Sequence, residues 1–181
     1  MNQNRPDVIL ILGSDTDAKI VVDSGMLDIF EQAGVECRQC IISAHRHDRD
    51  LSSEFNMAWS GYAQVIIGVA SMSAQLPGAI AAKTTDRHVV LGVALASPDR
   101  PDASDAVDAM TRTPAGTAVG FCGIGKNGLI NAAIIACQIV GKKKPEVVSP
   151  GLERWRQLQR SKKPPQSGVD LRQLLAEMEK K

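Results

Sequence analysis

Aromatic side chains are scarce in this chain: two Trp, one Tyr and three Phe among 181 residues. A core must therefore be assembled from Val, Ile, Leu, Ala and Met. Net charge is also lacking. Twenty-one basic and twenty acidic residues leave a formal +1, so no strong field draws the protein to nucleic acid or to an anionic membrane. No apolar run approaches the ~20 residues of a membrane span. The start, Met1 to Asp7, lacks the apolar stretch of a signal peptide, which points to a cytoplasmic protein. No His/Cys/Asp/Glu cluster has metal-ligand spacing, and nothing resembles a nucleophile elbow. There is no G-x-G-x-x-G or P-loop pattern and no internal repeat. Cysteine is limited to four residues. Cys37 and Cys40 have redox or zinc spacing, but they fall inside an expected strand rather than at a helix start, where the dipole lowers a thiol pKa. They read as reduced thiols packed as small hydrophobes.

What is present is a regular alternation of strand and helix. Val8 to Leu12 is a short continuous apolar run, the signature of a buried parallel strand. Val22, Met26, Ile29/Phe30 and Ala33 recur at helical spacing up to Gly34. Val35 to Ile42 is the next expected strand. Asp48 can cap a helix with an apolar face of Leu51, Phe55, Ala58/Trp59 and Tyr62, with Gly61 near its end. Val65 to Val69 and His88 to Leu95 are further strands, and the small residues Ala79 to Ala82 suit a closely packed helix. Ser97 to Ser104 reads as an exposed loop, Asp105 to Thr111 as a short helix, Thr117 to Ile124 as a fifth strand, and Gly128 to Val140 as an apolar helix closed by Gly141. This order implies an α/β fold with a parallel sheet and helices on both faces. The α/β unit spans residues 1–141. Residues 142–181 form a C-terminal extension opened by the hinge-like Lys142-Lys143-Lys144-Pro145, with a further break at Lys162 to Gly168. Its helical stripes, Leu152/Trp155/Leu158 and Leu171/Leu174/Leu175, are too thin for a separate core. They are expected to pack on the domain or on a neighbouring subunit.

Three turns after strands carry candidate chemistry, because ligands of parallel α/β folds bind at the carboxyl ends of strands. In Gly13-Ser14-Asp15-Thr16-Asp17, Gly13 permits a sharp turn, Ser14 and Thr16 offer hydroxyls beside helix-start amides, and Asp17 can accept from ribose hydroxyls. The same residues also suit an ordinary helix cap. Ser43-Ala44-His45-Arg46 sets a titratable imidazole beside a permanent cation at the end of what reads as a central strand. His47 reads as a surface residue and His88 as a structural histidine. In the third turn, Ser71 to Gly78, Pro77 and Gly78 force a bend and open the backbone to a ligand, and Gln75 can bond a planar amide or a base edge. Three successive strands thus end in loops suited to one small phosphorylated ligand.

These residues resemble a known family. Gly13-Ser14-Asp15-Thr16-Asp17 is similar to the G-S-x-S-D turn, and Ser43-Ala44-His45-Arg46 matches the S-A-H-R motif, of the N5-carboxyaminoimidazole ribonucleotide mutases (PurE) of de novo purine synthesis. Gln75-Leu76-Pro77-Gly78 with Ala81-Ala82-Lys83-Thr84 resembles the family's H-L-P-G-x-x-A-A-x-T. Gly92-Val93, Thr113-Pro114-Ala115-Gly116, and Ile124-Gly125-Lys126 with Asn131-Ala132-Ala133 follow its later motifs in order, from about Val8 to Val140. The resemblance implies a three-layer α/β/α, doubly wound, flavodoxin-like subunit in a homo-octamer, with no metal, ATP or other cofactor. It further implies transfer of a carboxylate, by way of carbon dioxide, from the exocyclic nitrogen to C4 of an imidazole ribonucleotide. His45 would act as general acid and base. Ser14, Thr16, Asp17, Ser43, Ala44 and Arg46 would hold ribose and phosphate, with Ser71, Ser73, Gln75 and Leu76 lining the rest of the substrate site.

The departures lie mainly in the third turn. Bacterial relatives have A-G-x-A-A-H before L-P-G, where this chain has Ala70-Ser71-Met72-Ser73-Ala74-Gln75. Gln75 replaces a histidine and cannot titrate, while Ser71 and Met72 replace glycines and fill space. Ala94 stands where the family's G-V-P has proline. The animal-like branch, which carboxylates aminoimidazole ribonucleotide directly, has S-A-H-K and a different third turn. A paralogue that carboxylates or decarboxylates another ribonucleotide, or a nucleotide-binding protein without catalysis, fits the same residues.

Overall fold

The computed structural model describes residues 5–56, 62–84 and 87–162. Five parallel strands form one sheet: β1 (Val8–Leu12), β2 (Cys37–Ile41), β3 (Val65–Ala70), β4 (Val89–Ala94) and β5 (Gly120–Ile124), in the order β2-β1-β3-β4-β5. The chain starts at β1, steps outward to β2, then returns past β1 to build β3, β4 and β5. This is the flavodoxin-like order, and its topological switch point lies between β1 and β3.

Every residue of β1 and β3 is buried, as the continuous apolar runs predict for strands covered on both faces. Alternation divides the strands between two cores. Val8, Leu10, Leu12, Val65, Ile67 and Val69 face α1 (Thr16–Ser24), α2 (Met26–Ala33), α6 (Gly125–Gly141) and α7 (Pro145–Lys162). Ile9, Ile11, Ile66 and Ala70 face α3 (Asp48–Asn56), α4 (Leu76–Lys83) and α5 (Ser104–Thr111). Each fully buried Val, Leu or Ile contributes roughly 1.5–3 kcal/mol relative to exposure, so the paucity of aromatics leaves neither layer short of apolar cover.

Three expectations need correction. The second strand is not central but at the sheet edge, and only Cys37–Ile41 is extended. With a neighbour on one side alone, it leaves Arg38, Gln39 and Ile41 exposed. The first helix is two helices. Gly25 adopts φ 79° and ends α1, and the Ser24 hydroxyl donates to the Val21 carbonyl at 2.6 Å while accepting the Met26 amide at 3.1 Å. The buried face of α1 is consequently Asp17, Val21 and Ser24, with Val22 64% exposed. The last expected helix of the α/β unit, α6, opens at Gly125, three residues before the expected start, and ends at Gly141 as expected, with Lys142 capping it in right-handed geometry and a short turn leading into α7.

α7 lies against α2, where a side chain on Gly151 would meet the backbone of Gln32 and Ala33. Leu152 is buried and Trp155 half-buried, but Leu158 is exposed, so the expected stripe holds for two of its three members. Lys144 of the preceding turn reaches the buried Asp7 carboxylate at 2.6 Å. Ala58, Trp59 and Gly61, the side chain of Phe55, and the stretch from Lys163 through Leu171, Leu174 and Leu175 lie outside the described residues. Tyr62 is exposed, with Arg5 stacked over its ring at 3.9 Å.

Candidate active site

The three turns meet at the carboxyl edge of the sheet because their strands are neighbours in register. Leu12 pairs with Ile41 on one side and Val69 on the other. Beyond the last pairs, the Ile42 amide donates to the Leu12 carbonyl at 2.9 Å, and the Gly13 amide to the Val69 carbonyl at 3.0 Å. The loops after β2 and β3 therefore flank the end of β1.

The first turn is held from within. The Ser14 and Thr16 hydroxyls share a hydrogen bond of 2.6 Å, and Asp15 caps α1 by accepting the Thr16 amide at 3.0 Å. Asp17 is buried beneath the turn and accepts the Ser14 amide at 3.1 Å. Burial raises its pKa, against the lowering effect of its Ser14 bonds. It braces the loop from below, which differs from an exposed ribose acceptor. Gly13 takes no left-handed φ, and a Cβ there would find ordinary contacts at 3.6 Å with Ala70 and Asp17. The turn thus needs no glycine on conformational grounds.

The second turn is a helical turn preceding α3. The His47 amide donates to the Ser43 carbonyl at 2.9 Å, and the Ser43 amide donates to Nδ1 of His47 at 3.2 Å. His47, read from sequence as a bystander, thereby clasps the loop. The signal for this was its spacing of four from Ser43, which places the two on one helical face. Ser43 is buried and Ala44 half-buried, while His45 and Arg46 project into solvent.

In the third turn Ser71 is half-buried, and Ser73 and Gln75 are exposed. Leu76 is buried in the core under α4, so it can offer a ligand only its main chain. Met72 (φ 58°) and Ala74 (φ 38°) both adopt left-handed backbone, with the Met72 side chain 59% exposed. Such conformations cost of order 1–3 kcal/mol each in residues with a Cβ. Pro77 seats α4 on the sheet. A Cβ on Gly68 would lie 3.1 Å from Pro77 Cγ and 3.2 Å from its Cα, and Gly92, the register partner of Gly68, faces Pro77 Cβ at 3.4 Å. These two glycines form a trough of bare backbone under the helix start. Gly78 has no such role, its nearest neighbour being Thr113 at 3.9 Å.

The second and third turns touch directly: Nε2 of His45 lies 2.9 Å from Oε1 of Gln75. This bond spans the end of β1, at the switch point. A second tie runs behind it, where Lys83 of α4 meets Asp48 at 2.8 Å and Ser52 at 2.9 Å. Asp48, expected as a helix cap, opens α3 and spends its carboxylate on this link. The structure therefore brings His45 and Gln75 together at the sheet edge where the first turn, braced by Ser14 and Asp17, also ends its strand. Two open concavities elsewhere, of about 450 Å³ between α6 and α7 and about 640 Å³ beside residues 88–90 and 113–120, do not include these residues. Among the described residues no group of three His, Cys, Asp or Glu is arranged to hold a metal ion.

Cys37 and Cys40 form no disulfide, and they belong to opposite faces of β2, Cys37 against the α1/α2/α6 core and Cys40 against the other. A separation of three in a strand imposes this, and it rules out a dithiol pair.

Comparison with known proteins completes the picture. The N5-carboxyaminoimidazole ribonucleotide mutase of Vibrio cholerae is 35% identical over 140 residues, covering 77% of this chain and 84% of that protein. The Escherichia coli K12 mutase is 35% identical over 159 residues, covering 87% and 90%. The crystal structure of Treponema denticola PurE superposes with a TM-score of 0.67 at 19% identity, covering 87% of this chain and 94% of that one, a likeness of fold. Residues 7–162 match the AIR carboxylase family model, and the chain belongs to that family.

Proposed function

We propose that the protein is an N5-carboxyaminoimidazole ribonucleotide mutase of purine biosynthesis, working in the cytoplasm as a homo-octamer with no metal or organic cofactor. The observation that carries this reading is the placement of His45. Its imidazole stands exposed at the carboxyl edge of β2, beside the switch point, next to the exposed Arg46 guanidinium. Relatives of similar length bear the mutase name.

In this mechanism Arg46, with Ser14, Thr16, Ser43, Ala44 and the neighbouring main-chain amides, receives the ribose phosphate. Asp17 supports them from below. Ser71, Ser73 and the Leu76 main chain line the base, with Gln75 beside them bonded to His45. Protonated His45 delivers its proton to the exocyclic nitrogen as the N–carboxylate bond breaks, releasing carbon dioxide and leaving neutral imidazole. C4 of the ring then forms its bond to carbon dioxide, and His45 removes the C4 proton as the ring regains aromaticity. The proton count closes, and no other acid or base is consumed. General acid–base groups of this kind contribute typically 10²–10⁴-fold. Replacing His45 by Asn should therefore lower turnover by about 10²–10⁴-fold while preserving the melting profile and ribonucleotide binding. Wild-type turnover in that variant would transfer the role elsewhere.

A second reading is favoured by the third turn, where left-handed Met72 and neutral Gln75 alter the wall beside the base. It makes the protein a carboxylase or decarboxylase of aminoimidazole ribonucleotide or a related nucleotide. Supplying aminoimidazole ribonucleotide with bicarbonate, and separately its N-carboxylated isomer, distinguishes the two by which compound is consumed. Thermal stabilisation by ribonucleotide with neither compound consumed would leave binding alone.

A further inference from the structure

We propose that Gln75 is a positioning residue that fixes the tautomer of His45, so that Nδ1, not Nε2, carries the proton His45 exchanges. The inference rests on the acid/base reading of His45 and specifies the working atom. Gln75 turns its amide oxygen, which only accepts, to within 2.9 Å of His45 Nε2, and that orientation places a hydrogen on Nε2; the reversed amide would place it on Nδ1, and the ring nitrogen signals tell the two apart. Neutral imidazole carries one N–H, which leaves Nδ1 with its lone pair free. Among the described residues Nδ1 of His45 makes no hydrogen bond. When the ring takes up a proton it arrives at Nδ1, and the Nε2–H···O bond persists and becomes charge-assisted. One contact thus serves both states of the cycle, with no regrouping of partners as the proton comes and goes.

Three features make this more than a surface encounter. Gln75 occupies the N-cap position of α4, yet its side chain forms no cap bond to the helix amides and is spent on His45 instead. The turn that delivers it is held in uncommon backbone, left-handed at Met72 and Ala74, and closed by the Ala74 amide on the Ser71 carbonyl at 3.1 Å. The helix it opens is seated through Pro77 on Gly68 and Gly92. His45 is steadied in turn by the Ser43–His47 clasp.

The test uses full-length protein labelled with ¹⁵N-histidine. The three histidines of the chain keep the spectrum simple, and the His45→Asn variant identifies the His45 signals. At a pH where the ring is neutral, His45 should show a pyrrole-type Nε2 and a pyridine-type Nδ1. Gln75→Leu should convert this to averaged signals of two tautomers and lower kcat by about 10–100-fold, by analogy with the loss when a partner that orients a metal-ligating histidine is removed, with KM within about threefold. Gln75→Glu, which keeps an oxygen acceptor at the same reach, should restore both. A pyrrole-type Nδ1 in the wild type, or a Gln75→Leu spectrum identical to wild type, overturns the proposal. So does a raised KM at unchanged kcat, which would make Gln75 a substrate ligand. A locked tautomer in a protein whose His45→Asn variant still turns over would place the failure in the acid/base reading and not in the contact.

Discussion

The carboxylate of Asp17 has its pKa raised by burial, and the sign of the consequence follows from linkage. A carboxyl whose folded pKa exceeds its unfolded one binds its proton more tightly in the native state. It therefore withdraws stability as pH climbs from the ordinary carboxylate range through the folded value, and the loss is complete above it. Asp17→Asn keeps an oxygen to accept the Ser14 amide and cannot ionise. Its unfolding free energy should exceed that of the wild type at neutral pH, with the difference shrinking toward pH ~3; urea titrations at both pH values check this. An equal difference at both would show that charge is not the cause. The cysteines obey the same logic. Burial pushes Cys37 and Cys137 up to about 12 and Cys122 to about 11, so these three stay thiols at neutral pH. Iodoacetamide should modify them only after denaturant is added, as followed by mass spectrometry.

Among the elements, the start of α4 is seated by close approach to bare backbone at Gly68 and Gly92. A methyl on Gly68 would press on the Pro77 ring and Cα and on Ile80 Cδ1 at 3.0–3.2 Å, and only the isoleucine end can yield cheaply. Gly68→Ala should cost about 1–3 kcal/mol, as overpacking does, and should lower turnover by displacing Gln75 from His45. Calorimetry and steady-state kinetics of the variant measure the two effects. β1, β3 and β4 were legible as strands because each is an apolar run buried on both faces. β2 was legible as a strand but not as an edge, since register and neighbour count are properties of the assembled sheet. The break at Gly25 was hidden because Met26, Ile29, Phe30 and Ala33 continue a helical period begun at Val22, which in fact faces solvent. Within the site, His45, Arg46 and the first turn could be picked out as chemistry-bearing residues at strand ends. The inward commitment of Asp17 and the left-handed backbone at Met72 could not. Each depends on burial or on a torsion that residue type alone does not determine.

For the whole molecule, one ion pair ties the turn before α7 to the residue before β1, 137 positions away in sequence. Asp7 is buried at the amino edge of the sheet, where it accepts the Glu36 amide at 3.2 Å and the Lys144 ammonium at 2.6 Å. The lysine is about half exposed, which moderates the pair. Lys144→Met strands a buried carboxylate and should cost about 1–3 kcal/mol, seen as a fall in Tm of roughly 2–4 °C per kcal/mol for a chain of this size. The double variant Asp7→Asn/Lys144→Met, with no charge left to compensate, should recover most of that loss. A double variant as unstable as the sum of its parts would refute the pairing. The folding transition should remain single, because α7 and the sheet share one core through Val148 and Leu152.

The trough beneath Pro77 also bears on how such a protein can diverge. Because α4 rests on main chain, its height above the sheet is insensitive to the side chains at Ser71, Met72 and Ser73. These three can accumulate substitutions that reshape the wall facing a substrate, while Ala74 stays packed in the core and Gln75 tied to His45. New selectivity can arise there by small steps, at little risk to folding.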